Sequence, residues 1–243
     1  WVYDDSPEVL ANKVRFLEAQ YAGQKPTKEP DTVIKWSRNL KRRHVQGRRE
    51  PFDPKRIVRA AYRPYYATWL YDSSLFIDEL GIRESLVSGG GAVAKHIIVT
   101  DPSAQKPWLA CAAADVPDLH FVGAAAGAVC LPLARNVDGG VADNITDWAL
   151  KQFAEHYKPE TGSGKGARKV TKDAIFHYCY AVLHDPVYRE KYAQNLKREF
   201  PRIPFYPNFW QWAGWGRELM DLHIGYEAVD PHSLKRIDIR DEK

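Results

Sequence analysis

Apolar residues recur at two spacings along this chain, three to four residues apart at both ends and in short continuous runs between them, which predicts helices, then strands, then helices. Ser6 followed by Pro7 is an N-cap and first-turn pair. Val9, Leu10, Val14, Phe16 and Leu17 then supply a first helix that fades near Tyr21 to Gly23. After the linker "QKPTKEPD", Asp31 is placed to cap a second helix with Val33, Trp36 and Leu40 on one face and Lys35, Arg38 and Arg42 on the opposite one. Asp53 with Pro54 predicts a short third helix carrying Ile57 and Val58. From Tyr65 to about Arg135 the runs "YATWLYD", "KHIIVTD", "PWLACAA", "DLHFVG" and "AVCLPLA", broken by Gly, Pro and Asp, predict strands of a mixed or mostly antiparallel sheet. Helical spacing returns at 145–157 and at 171–184, where "AIFHYCYAVL" is apolar almost all round and should be buried. Asp185 and Pro186 open another helix with Tyr188, Tyr192, Leu196 and Phe200 as one stripe and Lys191 and Arg198 on the other side, ended by "FPRIPFYPN". A last aromatic helix, "FWQWAGWGRELMDL", precedes a charged tail. There is no internal repeat, and segregated helices and strands make the expected class α+β: N-terminal helices, a central mixed or antiparallel sheet and a C-terminal helical bundle.

Composition adds bounds. With 243 residues, 44% of them hydrophobic, the chain can bury one large core or two small ones. No run of about 18 apolar residues predicts a membrane span, so a cytoplasmic setting is expected. Cys111, Cys130 and Cys179 are too scattered for a disulfide framework or a zinc knuckle and read as small buried hydrophobes. A start at Trp1, with Met220 the one methionine, suggests a piece of a longer polypeptide. Charge changes the picture more: between residues 35 and 63 eleven lysines and arginines face only Glu50 and Asp53, so this stretch carries +9 of a net +4 and the remainder −5. Such an excess is the footprint of a polyanion partner or, alternatively, a solvated basic face.

Candidate chemistry begins with "ETGSGKGARKVTKDA", residues 160–174, a Gly-rich basic loop leading into a helix. A nucleotide-binding loop of the form G-x-x-x-x-G-K-[ST] needs a turn glycine and a magnesium-binding hydroxyl. Around Gly164 and Lys165 those positions hold Pro159 and Gly166, and the preceding "LKQFAEHYKP" is helical rather than a strand. What survives is a tether bearing Lys165, Arg168, Lys169 and Lys172, which either touches a nucleic-acid backbone or is a mobile surface loop. Asp31, Asp53 and Lys55 make a poor magnesium-nuclease centre, because Asp53 and Lys55 flank a helix-starting proline. His177 and His184 on a buried helix, and Asp118 with His120, read as structural pairs. Trp210, Trp212 and Trp215 could stack bases, but their crowding on one helix favours core packing. No catalytic centre assembles, and there is no adenine-methyltransferase tetrapeptide.

Whole phrases then carry more than spacing. "HYCYAVLHDPVYREKYAQNLKREFPRIPFY", with "WVYDDSPEVLANKV", "IKWSRNLKRR", "YRPYYATWLYD", "VPDLHFVG" and "ELMDLHIGYE", closely resembles, in order and over nearly the whole chain, the carboxy-terminal part of type ISP restriction-modification enzymes. Tyr65 stands where that family usually has Phe, Glu199 where Asp is common, and "VSGGGAVAK" and "AAAGAVC" look individual. The resemblance implies single-chain bacterial, cytoplasmic enzymes ordered nuclease, ATP-driven translocase, coupler, adenine-N6 methyltransferase and target-recognition domain. It implies a helical joining segment at 1–62 and a recognition domain at 63–243, cut short at Lys243. The expected partners are double-stranded DNA and the methyltransferase and translocase domains of the parent. S-adenosylmethionine, ATP and Mg2+ are expected in the parent, and no cofactor in this part of it. The expected role is recognition of duplex DNA that directs adenine-N6 methylation and restriction; the alternative is a nucleotide-dependent enzyme fragment using the 160–172 loop. Lys35, Arg38, Arg42 and Arg63 from the basic run, with Lys165, Arg168, Lys169 and Lys172 from the loop, are the candidate DNA contacts.

Overall fold

The computed structural model describes residues 1–79, 87–88, 91–92, 94–104, 106–124, 126–138, 140–161 and 168–234. Seven helices are described: α1 (Pro7–Ala22), α2 (Arg38–Val45), α3 (Asp147–His156), α4 (Lys158–Thr161), α5 (Lys172–His184), α6 (Pro186–Lys191) and α7 (Phe209–Ile224). The strands are β1 (Tyr3–Asp4), β2 (Ile57–Arg63), β3 (Tyr66–Tyr71), β4 (Val87–Ser88), β5 (Gly91–Ala92), β6 (His96–Thr100), β7 (Ala110–Ala113), β8 (Val116–Pro117), β9 (Ala128–Pro132), β10 (Ala134–Val137) and β11 (Gly140–Asp143). The α+β class is therefore as expected, but the strands divide among several small sheets. One runs β1-β3-β2-β8, with the β2–β8 pair parallel; another, β7-β6-β9, is antiparallel; β4–β5 and β10–β11 are separate hairpins.

β6 lies at the centre because all five of its residues are buried. Ile97 and Val99 face the largest core, made with Phe153 of α3, Tyr157 just after it, Tyr178 and Tyr180 of α5, and Phe209 and Met220 of α7. Ile98 faces the other way, toward Cys111, Phe121 and Ala61 of β2. On the far side of β2–β3, α1 buries Leu10, Val14, Leu17 and Tyr21 against Tyr71, Leu75 and Phe76. A helix layer, two sheets and α1 thus stack in succession.

Four expected elements come out differently. Asp31 caps no helix: its carboxylate accepts the Val33 amide (3.2 Å) in a local turn, and α2 starts only after Ser37, whose Oγ accepts from the Leu40 amide (3.1 Å). The β-branched run Thr32, Val33, Ile34 loses side-chain freedom in a helix, which favours the later start. Asp53 does cap, but it opens a single 3-10 turn (Pro54–Arg56); Ile57 and Val58 begin β2 and pair with Tyr71 and Leu70. The boundary expected between residues 62 and 63 therefore falls inside β2, and residues 1–62 share a sheet and a core with the segment after them. "DLHFVG" is a pair of turns, because the Asp118 carboxylate accepts the His120 amide (2.9 Å) and the Phe121 amide bonds back to Asp118 (3.1 Å). The helix after Pro186 stops at Lys191, and turns carry the chain to Pro201; Tyr188 and Leu196 are buried, whereas Phe200 is 52% exposed. A residue before proline is biased out of helical geometry, which strips the stripe of its last member.

Candidate nucleic-acid interface

α2 is short, and its own hydrogen bonds do not explain its position. The Asn39 side chain donates to the Asp78 carbonyl (3.1 Å), and the Ser37 hydroxyl donates to the Asp78 carboxylate. The Arg43 guanidinium is buried and donates to the carbonyls of Leu75 (3.0 Å), Ile77 (2.6 Å) and Asp78 (3.1 Å). Leu40 enters the α1 core, and the buried His44 ring meets the Lys25 carbonyl at 3.0 Å. With Leu40, Arg43 and His44 inward, helical periodicity turns Arg38, Lys41, Arg42 and Val45 outward, and all four are exposed or partly so. Lys35 precedes the helix but is also exposed. Among the described residues, no carboxylate pairs with Lys35, Arg38, Lys41 or Arg42. Like charges one helical turn apart destabilise a helix by a few tenths of a kcal/mol per pair. Among the described residues no carboxylate relieves that repulsion, whereas a polyanion would.

The remaining candidates have different surroundings. Arg63 stacks over the Tyr62 ring (4.0 Å) and forms an ion pair with Asp118 (3.0 Å), which also accepts from the Tyr3 hydroxyl (2.8 Å). Lys172 is bound by Asp147 (2.7 Å) and Asp143 (3.2 Å), and the Asp147 hydrogen bond is the main reason its ammonium titrates above the usual lysine range. Arg168 lies 3.7 Å from the centre of the Trp210 ring, where its charge meets the ring's negative face. Lys169 is exposed, and Lys165 lies outside the described residues.

The Gly-rich loop is pinned at both ends to one place. The Glu160 carboxylate accepts the backbone N–H groups of Asn208 (3.0 Å) and Phe209 (2.8 Å) at the start of α7, and Arg168 stacks on Trp210 in the same turn. At the start of α5, Thr171 Oγ1 accepts the Ala174 amide (3.1 Å), and Asp173 adds a negative charge to that first turn. Both helix N-termini beside the loop, the natural places for a phosphate, thus carry carboxylates. These residues do not fit a nucleotide triphosphate. Glu160 escaped sequence reasoning because its partner is 48 residues away.

The other sequence candidates are structural in their contacts. His177 Nδ1 meets the Asp173 carbonyl at 2.8 Å. His184 sits between the carbonyls of Tyr180 (2.8 Å) and Ala110 (3.2 Å). Desolvation is the largest influence on both rings and depresses their basicity. Burial pushes the Cys130 and Cys179 thiols up to about 12, which leaves them unreactive. Trp210 and Trp212 pack against the main core, whereas Trp215 is 49% exposed. Among the described residues no group of three or more His, Cys, Asp or Glu side chains is placed to hold a metal ion.

Comparison with known proteins agrees with this picture. A search of curated proteins returned no match. Among solved structures, the chain is similar to a cryo-electron-microscopy structure of a DrdV–DNA complex, with 36% identity and a TM-score of 0.83, covering 100% of this chain and 24% of that one. It is also similar in fold to a nuclease-deletion mutant of the type ISP restriction-modification enzyme LlaGI in complex with a DNA substrate mimic (23% identity, TM-score 0.72, covering 95% of this chain and 21% of that one). A third similar fold is the ATP-dependent type ISP enzyme LlaBIII bound to DNA (20% identity, TM-score 0.78, covering 95% and 15%). This chain spans a quarter or less of each of these. The family model of the type ISP C-terminal specificity domain matches residues 1–243, end to end, and the chain belongs to that family.

Proposed function

We propose that this chain recognises a specific sequence in double-stranded DNA and so directs adenine-N6 methylation and restriction by a longer type ISP enzyme. The observation that carries the reading is the outward face of α2, whose Arg38, Lys41 and Arg42 meet no described carboxylate, in a chain whose similar solved structures named above are bound to DNA or to a DNA substrate mimic. Phosphate contacts fix position on a duplex, and base contacts add sequence. Lys35, Arg38 and Arg42 take the first role in this proposal, with Lys169 and Lys165 added from the loop. Arg63, Arg168 and Lys172 already serve Asp118, Trp210 and the Asp143–Asp147 pair, so they contribute positive field more than direct contact. Residues 1–62 carry the connection to the methyltransferase and translocase parts of the parent, where S-adenosylmethionine, ATP and Mg2+ act. The setting is the bacterial cytoplasm; no described helix is long and apolar enough to cross a membrane.

The test is duplex binding by fluorescence anisotropy across a salt series. Binding should weaken linearly in log K against log salt, and Arg38→Ala with Arg42→Ala should reduce that slope by about 0.9 for each phosphate no longer neutralised. Added ATP and magnesium should leave binding unchanged and give the 160–172 loop no protection from protease. An unaltered slope would return α2 to a merely solvated face.

A further inference from the structure

The β2–β3 hairpin turns through Pro64 and Tyr65, with Arg63 opposite Tyr66. Proline suits the first corner of such a turn, but the second needs positive φ and normally holds glycine. Here it is Tyr65, at φ 55°. A bulky side chain in the left-handed region is strained, and such strain clusters at functional sites. The Tyr65 ring is nevertheless held in place: it lies edge-on to His223 (5.4 Å) and Tyr226 (5.7 Å). The Tyr226 hydroxyl accepts the Ala67 amide (3.0 Å), which joins the hairpin to the segment after α7. The turn between β7 and β8, Ala114–Asp115, completes the rim. These three segments enclose a pocket of about 270 Å³ lined by Arg59, Tyr65, Tyr66, Asp115, His223 and Tyr226.

Two charged groups stand out in this pocket: Asp115 has no hydrogen-bond donor among the described residues, and Arg59, which lies over the Trp69 ring (5.4 Å), holds its carboxylate partner only at long range. Asp115 is half-buried, and among the described residues none donates a hydrogen bond to its carboxylate. Desolvation is the main influence on it and raises its pKa, while Arg59 draws it down and Glu227 raises it further. Arg59 reaches both oxygens of Glu227 from a single nitrogen, at 3.3 Å each, longer than the roughly 2.7–2.9 Å usual for a charged pair. A carboxylate short of donors beside a loosely held guanidinium matches one ligand in particular. Cytosine N4 offers a donor to a carboxylate, and guanine O6 and N7 accept the arginine fork.

We infer that this hairpin-tip pocket reads one G·C pair of the recognised duplex, with Asp115 accepting from the cytosine amino group and Arg59 donating to the guanine. The inference rests on the DNA-recognition reading above. It adds a base-reading element to the phosphate-facing α2 at the other end of β2, a strand whose seven residues span about 20 Å.

The test is selection of bound duplexes from a randomised library, run in parallel on the parent chain, Asp115→Asn and Arg59→Lys, with thermal unfolding as the control for folding. The parent should enrich a motif containing an invariant G·C pair. Asp115→Asn should admit other pairs at that one position, with discrimination there falling about tenfold or more while the rest of the motif and the salt slope stay as in the parent. Arg59→Lys keeps the charge but loses the planar fork, and should relax the same position. An unchanged motif in both folded variants, or an equal loss on every duplex, overturns the pocket's role while leaving DNA recognition standing. A parent chain that binds duplexes but enriches no motif removes the recognition reading and this inference together.

Discussion

Arg42 and Arg43 are adjacent in the chain, yet one guanidinium faces solvent and the other donates to the carbonyls of Leu75, Ile77 and Asp78. A count of positive residues between 35 and 63 treats them alike; only the fold separates a charge available to phosphate from one consumed by the protein. Arg43→Ala should therefore cost about 3 kcal/mol, since it strands three carbonyls, whereas Arg42→Ala should leave the denaturation midpoint unchanged or slightly raised and weaken DNA binding. His96 presents a similar contrast. It opens β6 and is completely buried, no described group meets either ring nitrogen, and burial lowers its pKa to about 4. Its folded pKa lies below the unfolded value near 6.5, so the unfolded chain binds more protons between those two points. Stability is then full above about pH 6.5 and declines as pH falls toward about 4, by up to ~3 kcal/mol from this residue. His177, His184 and His223 are shifted in the same direction and steepen the decline. Denaturation midpoints measured between neutral pH and the folded pKa of His96 should show it, and His96→Leu should flatten the profile; an identical profile in that variant would assign the pH dependence elsewhere.

Helices with strong local signals were legible in the sequence, and those whose starts depend on distant partners were not. Ser6 with Pro7 and Asp185 with Pro186 each cap where expected. α2 begins at Ser37 because Asp78, 41 residues away, holds that serine and the next turn. The β10–β11 hairpin does carry a local sign, the Asp-Gly turn signal inside "NVDGGV", but its strands are four residues each and too polar to stand out by alternation. The closeness of α5 to α7 has no such sign. A Cβ at Gly216 would stand 1.8 Å from the His177 carbonyl oxygen, so the two helices cross with backbone nearly touching. Gly216→Ala should gain a little helix propensity and still destabilise by about 3 kcal/mol or more, because backbone rather than a flexible side chain must move. Gly214→Ala, with open space around its Cβ, should be neutral or slightly stabilising. Equal melting temperatures for the two variants would contradict the close crossing. Tyr192 has a smaller role than its place in the expected stripe implied: it is half-buried, 5.0 Å from Tyr188, so Tyr192→Ala should cost less than Tyr188→Ala.

For the whole molecule, the α+β class and the polyanion footprint came from composition and spacing. The placement of the proposed phosphate-facing and base-reading groups required the fold, because β2 carries the basic run out of the α2 region to a hairpin tip next to residues more than 150 positions later in the chain. The Gly-rich loop shows the limit of motif reading most clearly. Its composition suggests phosphate, but Glu160 and Arg168 fasten its two ends to the start of α7, with Lys169 exposed beside Arg168. On the proposed function, this chain selects a DNA sequence rather than holding any duplex by charge. Selection from a randomised duplex library addresses it without assuming a site. One enriched motif should emerge, bound about a thousandfold or more tighter than random duplex at physiological salt. Binding of all duplexes alike, with no motif emerging over successive rounds, would contradict it.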